Sequence, residues 1–441
     1  MSTRGLRLTI LSAGGALALL LLAAAPHFGL LRGATPPQQQ QQQRPADRKP
    51  AGNSAAITGD TSSTVRIVRA PARTVQDPNP SFSAVAVDDT NNEIAVEDEN
   101  SDQIVIYGRL DNTPVQAALT EPKRVIGGSH TKVSENCGLY IDPFSGDIYS
   151  INGDQANYLN IFSHDKKGNI DPDRTIDTPH RGFAVAVDEG AKELFLTIEH
   201  PPAVVVYPKE ANGNQVPLRI LEGDKTQLAE VHGLALDTKN QLMYVVNQGP
   251  TSSNTPDGGW ERDLQPGAST VEWTNDDMRW KYLVPGSGRV MPPSITVYAL
   301  KAYGDTAPVR VIQGPLTQLD WPVHISLDAN RQELYVANSV ADDILVFRAT
   351  DNGNVAPIRI IKGPHSGISK PHGVFADAKN GELVVANFGN HSSTVYKLDA
   401  NGDAPPLRTI RAAPANTPAP MFGNIGTLSY DTKRDQLLVP N

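Results

Sequence analysis

Residues 323–361 read VHISLDANRQELYVANSVADDILVFRATDNGNVAPIRII, and this stretch decides the fold. Four short runs rich in β-branched and aromatic residues stand out in it: His324–Asp328, Glu333–Asn338, Ile344–Phe347 and Pro357–Ile361. Asp, Asn and Gly punctuate them, the composition of strands joined by tight turns. Neither face of a run is consistently polar, so each strand is expected to be covered on both sides. Helix-length amphipathic periods are absent.

The same pattern recurs along the chain. The aspartates that end each first strand are Asp88, Asp142, Asp188, Asp237, Asp328, Asp377 and Asp431. Their spacing is near fifty residues and is broken once, between Asp237 and Asp328, by an insertion over 248–293. Fourth-strand arginines, usually in Pro-x-Arg-x-Ile, fall at Arg124, Arg174, Arg219, Arg310, Arg359 and Arg408. Seven copies of four short antiparallel strands predict an all-β fold, a seven-bladed β-propeller. The last copy stops after its second strand, at residues 437–441, and Val65–Val75 ahead of the first copy carries the strand residues it lacks. Pairing of the two chain ends is therefore expected to close the ring and hide its sheet edges.

Outside the repeats the chain reads differently. Arg4 and Arg7 precede an apolar run from Leu8 to Ala25, the layout of an export signal or a retained membrane anchor over residues 1–34. Residues 35–63, with the glutamine run Gln38–Gln43, read as a low-complexity linker, leaving 64–441 for the propeller. This predicts an extracytoplasmic location, periplasmic, secreted or tethered. A net charge of −9 with no basic cluster in the repeats argues against nucleic acid as a partner. The single cysteine, Cys137, excludes an internal disulfide.

Propeller geometry ranks the remaining positions. The residue five places before each terminal Asp begins an innermost strand, giving Ser83, Cys137, Phe183, His232, Val323, His372 and Gly426. His232, His372 and Cys137 fall on alternate blades, a donor set that suits zinc or another divalent metal with one open position. The bland alternative is a packed cysteine and backbone-bonded imidazoles. His324 sits one place out of register, which on a regular strand reverses its direction, so it is a reserve ligand. Arg181, just before the third inner strand, is the candidate to steady an anionic group. The residues ten places after the aspartates include Asn152, Asn247, Asn338 and Asn387. These read first as caps of their own turns, with Asn247, Asn338 and Asn387 also candidate ligand contacts. The trio Glu97-Asp98-Glu99 reads as a solvated loop, calcium being the ion that carboxylates would suit.

Pro371-His372-Gly373-Val374, Tyr335-Val336-Ala337-Asn338 and the Pro-x-Arg-x-Ile strands resemble NHL-type and related bacterial extracytoplasmic propellers, over roughly residues 65–441. The resemblance implies a fold more than an activity, since that group includes binding scaffolds, lactonases and lyases. Its zinc-dependent peptide-amidating lyase holds metal by channel histidines on alternate blades, and His232 and His372 match that pattern. Cys137 departs from it.

The insertion holds Trp260, Trp273 and Trp280, three of the four tryptophans. Long loops on rigid repeats commonly carry binding, so a tryptophan-bearing cover over the central channel is expected. No nucleophile elbow, His-Glu-x-x-His helix, phosphate loop or haem motif is present. Two functions follow. The first is a scaffold binding a small molecule or an envelope protein on its channel face. The alternative is a metal-dependent lyase or hydrolase.

Overall fold

A computed structural model describes residues 78–153, 156–199, 201–248, 292–419, 429–431 and 436–438. All of them lie in the second of the chain's two compact units, which begins at Arg73. Among the described residues there are six four-stranded antiparallel sheets, each a simple meander, plus one two-stranded sheet. The fifth shows the unit: Pro322–Asp328, Glu333–Asn338, Asp343–Arg348 and Arg359–Ile361, with Asp328 opposite Glu333 and Asn338 opposite Asp343. Asp328 ends its strand because its carboxylate accepts the N–H groups of Asn330 and Arg331, capping the turn. Asp88, Asp142, Asp188, Asp237 and Asp377 make the equivalent turn bonds. The recurring aspartate is thus a hairpin device.

Second and third strands are buried on both faces, and the apolar side chains they present do not form one core. They form six, one in each seam between neighbouring sheets. Tyr335 and Val346 of the fifth sheet pack with Val374 and Leu383 of the sixth. Phe82, Val85 and Val105 of the first pack with Val384, Ala386 and Ile410 of the sixth. Sheet six therefore meets sheet one directly. Arg109 pairs with Glu382 across that seam at 2.8 Å, and Asn380 donates to Asp89. At the other seams a loop from the next blade straps the outer strand, as Gly353 does on Ile312 and Gly402 on Ile361. The same strap crosses from blade one to blade six: Thr113 N–H donates to Thr409 O and Thr120 N–H to Arg411 O.

Of the seven expected blades, six are complete among the described residues. The seventh copy appears as the hairpin Ser429–Asp431 with Gln436–Leu438, a separate two-stranded sheet among the described residues. Copy number is a property of sequence, whereas ring size follows from the wedge angle at which neighbouring blades pack. Among the described residues six seams between neighbouring sheets are filled. Val65–Val75, the proposed closing segment, lies outside the described residues, as do residues 1–63 and 249–291. No helix among the described residues is long and apolar enough to cross a membrane.

A chain ended after Ala419 tests the closure. It is expected to melt in one transition within about 4 °C of the full chain, the shift that roughly 1 kcal/mol causes in a domain larger than about 150 residues. A seven-bladed ring would instead be opened by that truncation and would lose its cooperative melt.

The fourth-strand arginines serve the seams. Arg124, Arg219, Arg359 and Arg408 pair with Glu93, Glu193, Glu333 and Glu382, the first residues of their own second strands, each at 2.6 Å. Arg359 also donates to the Leu398 carbonyl of the next blade.

Candidate functional site

The six inner strands run Phe82–Asp88, Asn136–Ile141, Gly182–Asp188, Val231–Asp237, Pro322–Asp328 and Pro371–Asp377. Each opens with a break in its pairing to the second strand. Pro371 faces Asn387 and Gly373 faces Ala386, leaving His372 as an extra residue. The same irregularity leaves Ser83, Cys137 and Val323 between paired neighbours, Phe183 beside Ala184 in the third blade, and His232 beside Gly233 in the fourth. The positions singled out in the sequence are therefore the bulge positions. A bulge re-aims its side chain, which is why such irregularities gather near functional sites.

Two of the bulge side chains reach sideways to the next blade. Ser83 Oγ donates to Asn136 O on the next blade, and Phe183 lies 3.8 Å, centroid to centroid, from the His232 ring on the next. Cys137 Sγ bonds the Glu135 carbonyl, 3.2 Å away. His372 stacks on Phe388 at 4.6 Å. His324 is not reversed out of the site, because the bulge absorbs the register difference. It pairs opposite Ala337, and its Nδ1 lies 3.2 Å from the Val374 carbonyl on the next blade. Among the described residues no three His, Cys, Asp or Glu side chains converge as a metal site. The expected set of His232, His372 and Cys137, with His324 in reserve, does not assemble, and no metal chemistry is derived from it.

The histidines still share an electrostatic neighbourhood. Burial pushes His324 down to about 4, with the field of His232 adding to it against the Val374 bond. Burial pushes His372 down to about 3, helped by His232 and Lys370. Both imidazoles are neutral at pH 7.

His232 itself joins a polar group at the start of blades three and four. Its Nδ1 is 3.2 Å from the Gln248 amide nitrogen, and its Nε2 is 3.8 Å from Glu199. Glu199 in turn pairs with Arg181 at 2.9 Å. Arg181 was expected from the sequence, whereas Glu199 and Gln248 were not. They occupy the column one residue beyond the asparagines, the signal by which they were legible.

The asparagines take a different role from the one expected. Asn247, Asn338 and Asn387 are buried to 1% exposure or less, and each accepts a backbone N–H eighteen residues upstream, from Ala229, Asp320 and Ser369. Their amide nitrogens donate to Thr296, Asp343 and Thr394. They latch the loop that feeds each inner strand. Glu97 and Asp98 are fully buried rather than solvated.

The latched loop ends in a strained residue. Glu135, Arg181, Glu230, Trp321 and Lys370 occupy equivalent places before five inner strands, all with φ between 44° and 64°. Each carbonyl accepts the N–H of the residue eighteen places on, as Arg181 does from Glu199. Left-handed backbone costs a non-glycine residue about 1–2 kcal/mol, yet none of these positions is Gly or Asn. Trp260, Trp273 and Trp280 lie outside the described residues; Trp321, on this rim, is 45% exposed.

Residues 273–419, a third of the chain, match the family model described as lactonase, 7-bladed beta-propeller. No curated protein matches the sequence. Among solved structures the chain is similar to Kuenenia stuttgartiensis hydrazine synthase, at 11% identity and a TM-score of 0.46, covering 75% of this chain and 99% of that one. That likeness carries no inference about activity. Together with the six sheets, the partial family match supports a β-propeller built of four-stranded blades.

Proposed function

We propose that this propeller binds a small polar molecule over its channel mouth, where Arg181, Glu199, His232 and Gln248 meet. The observation behind this is the linked group itself: a guanidinium, a carboxylate and an imidazole connected across two blades at the bulged strand starts. Arg181 suits an anionic or carbonyl oxygen, and Phe183 beside His232 supplies an apolar wall. The insertion begins directly after Gln248, and its tryptophans are the proposed cover of this site. Residues 1–34 are read as the export signal or anchor that places the scaffold outside the cytoplasm.

The lactonase match over residues 273–419 favours one second reading, hydrolysis at the same place. With Gln248 donating to Nδ1, the neutral His232 ring carries its proton on Nε2. In that reading Glu199 removes a proton from water as the water attacks a lactone carbonyl held by Arg181. The ring C–O bond breaks, and the protonated Glu199 returns that proton to the leaving alkoxide while the His232 Nε2–H donates a hydrogen bond to it. Binding and turnover of aldonolactones and their open-chain aldonates separate the two. Scaffold binding without turnover leaves the first reading; turnover lowered at least tenfold by Arg181→Ala and by His232→Ala establishes the second. Neither binding nor turnover, in a folded protein, removes this ligand class.

A further inference from the structure

Between the first and second blades two buried acceptors face no donor. Glu97 and Asn136 are both at 0% exposure. Glu97 Oε1 accepts from Ser150 Oγ at 2.6 Å, while Oε2 has no partner; neither does Asn136 Oδ1. The Asn136 side chain lies within hydrogen-bonding reach of the carboxyl. Its amide orientation is fixed, because Nδ2 donates to the Gln103 carbonyl at 3.2 Å. Turning the amide over would set Oδ1 against that carbonyl, acceptor to acceptor. A single proton on Glu97 Oε2, shared with Asn136 Oδ1, satisfies both orphans at once. Without it the seam buries a carboxylate against a carbonyl oxygen, a far costlier arrangement.

We infer that Glu97 holds a proton at neutral pH, donates it to Asn136, and so acts as a pH-operated clasp between blades one and two. Burial pushes its carboxyl up to about 8 against the bond that Ser150 donates; an Asn136 N–H turned to the carboxylate would oppose it too, but Nδ2 is committed to the Gln103 carbonyl. No charged side chain among the described residues offsets this. The neighbouring acids Asp98 and Asp102 are turned to the backbone N–H groups of Ser81 and Glu135. Ser83 faces the seam as a neutral hydroxyl, donating to the backbone carbonyls of Glu97 and Asn136. The clasp reaches the upper rim through the chain itself, since Asn136 lies between Glu135 and Cys137.

The sign follows from proton counts. An acid at 4.5 when unfolded and about 8 when folded gives the native state the extra proton between those values. The unfolding constant therefore rises up to tenfold per pH unit from about 4.5 to about 8 on this account. Glu97→Gln keeps both bonds and removes the titration. The ratio of unfolding constants, wild type over E97Q, is expected to rise about fifteenfold between pH 6.5 and 8. Infrared difference spectra at pH 7 should show a protonated carboxyl C=O stretch that E97Q lacks and that Ser150→Ala shifts by removing one bond. Cys137 reports the seam: its alkylation rate relative to E97Q should be flat below pH 7 and climb through pH 8, the thiol's own ionisation cancelling in the ratio. A constant stability ratio together with no Glu97 carboxylic-acid band overturns the inference. If E97Q does not fold, the wild-type band and its shift in S150A decide alone: a band that titrates near pH 8 sustains the clasp, and none at pH 7 ends it.

Discussion

Replacing Lys209 by Met is expected to destabilise the protein by about 3–5 kcal/mol, the scale of a buried pair that loses one partner. Lys209 is 4% exposed at its side chain and bonds Asp142 of the second blade at 2.5 Å and Glu189 of its own at 2.6 Å. Burial alone would raise both acids. At Asp142 the Lys209 bond and charge together with the Phe144 and Ser145 N–H groups outweigh it, and at Glu189 the Lys192, Lys209 and Tyr140 bonds with the Lys209 charge do so, so both are held low. Methionine fills the volume but leaves two carboxylates facing each other in the seam. Chemical denaturation at pH 7 measures the loss, and Lys209→Met with Asp142→Asn should recover part of it because the two sites couple. A loss under 1 kcal/mol would mean that water screens the pair and the seam rests on its apolar core.

The second large effect concerns acid. His324 and His372 are held near 4 and 3 when folded, against 6.5 for a free imidazole. Below pH 6.5 the unfolded chain binds protons that the native rings refuse, so stability falls as pH falls, by about 1.4 kcal/mol per unit for each ring. Between pH 6.5 and 4.5 the two together are expected to cost about 5 kcal/mol. This slope is opposite to that of Glu97, and both meet near pH 6.5, where the protein should be most stable. Urea midpoints at half-unit intervals would trace the limb. In His324→Gln with His372→Gln the acid limb should flatten; an unchanged slope would place the acid sensitivity in other groups.

The hairpins were legible because their signals are local. An Asp followed by a turn, then Glu-Leu-Tyr-Val-Ala-Asn, states its strands within a dozen residues, and the observed bounds in blade five differ little from those read. Ring size was not legible in the same way. Asp431 and Leu437–Leu438 read as another copy, while the packing angle between blades that sets the ring is a tertiary quantity that periodicity does not encode. The asparagines mark the same boundary: their residue type announced a cap, yet the N–H they cap lies eighteen residues back, in a loop whose path no spacing gave. His324 was misjudged for a reason of register. Strict alternation holds only along a regular strand, and all six inner strands begin with an irregularity. Glu97 defied its acidic neighbours, because three carboxylates in a row suggest water while the strand carrying two of them runs through the seam.

The rim of left-handed residues also bears on how this protein changes over time. Glu, Arg, Glu, Trp and Lys already occupy one backbone geometry at Glu135, Arg181, Glu230, Trp321 and Lys370. The conformational toll is levied on the φ angle, whatever side chain follows it, and the supporting hydrogen bond involves only main-chain atoms. Exchanging one such residue for another therefore leaves the fold's energy nearly level while rewriting the chemistry displayed around the axis. The molecule resembles a keyring whose keys can be cut separately. Lineages carrying it can drift toward new ligands one blade at a time, and an engineer can randomise the same five places without repairing the scaffold afterwards.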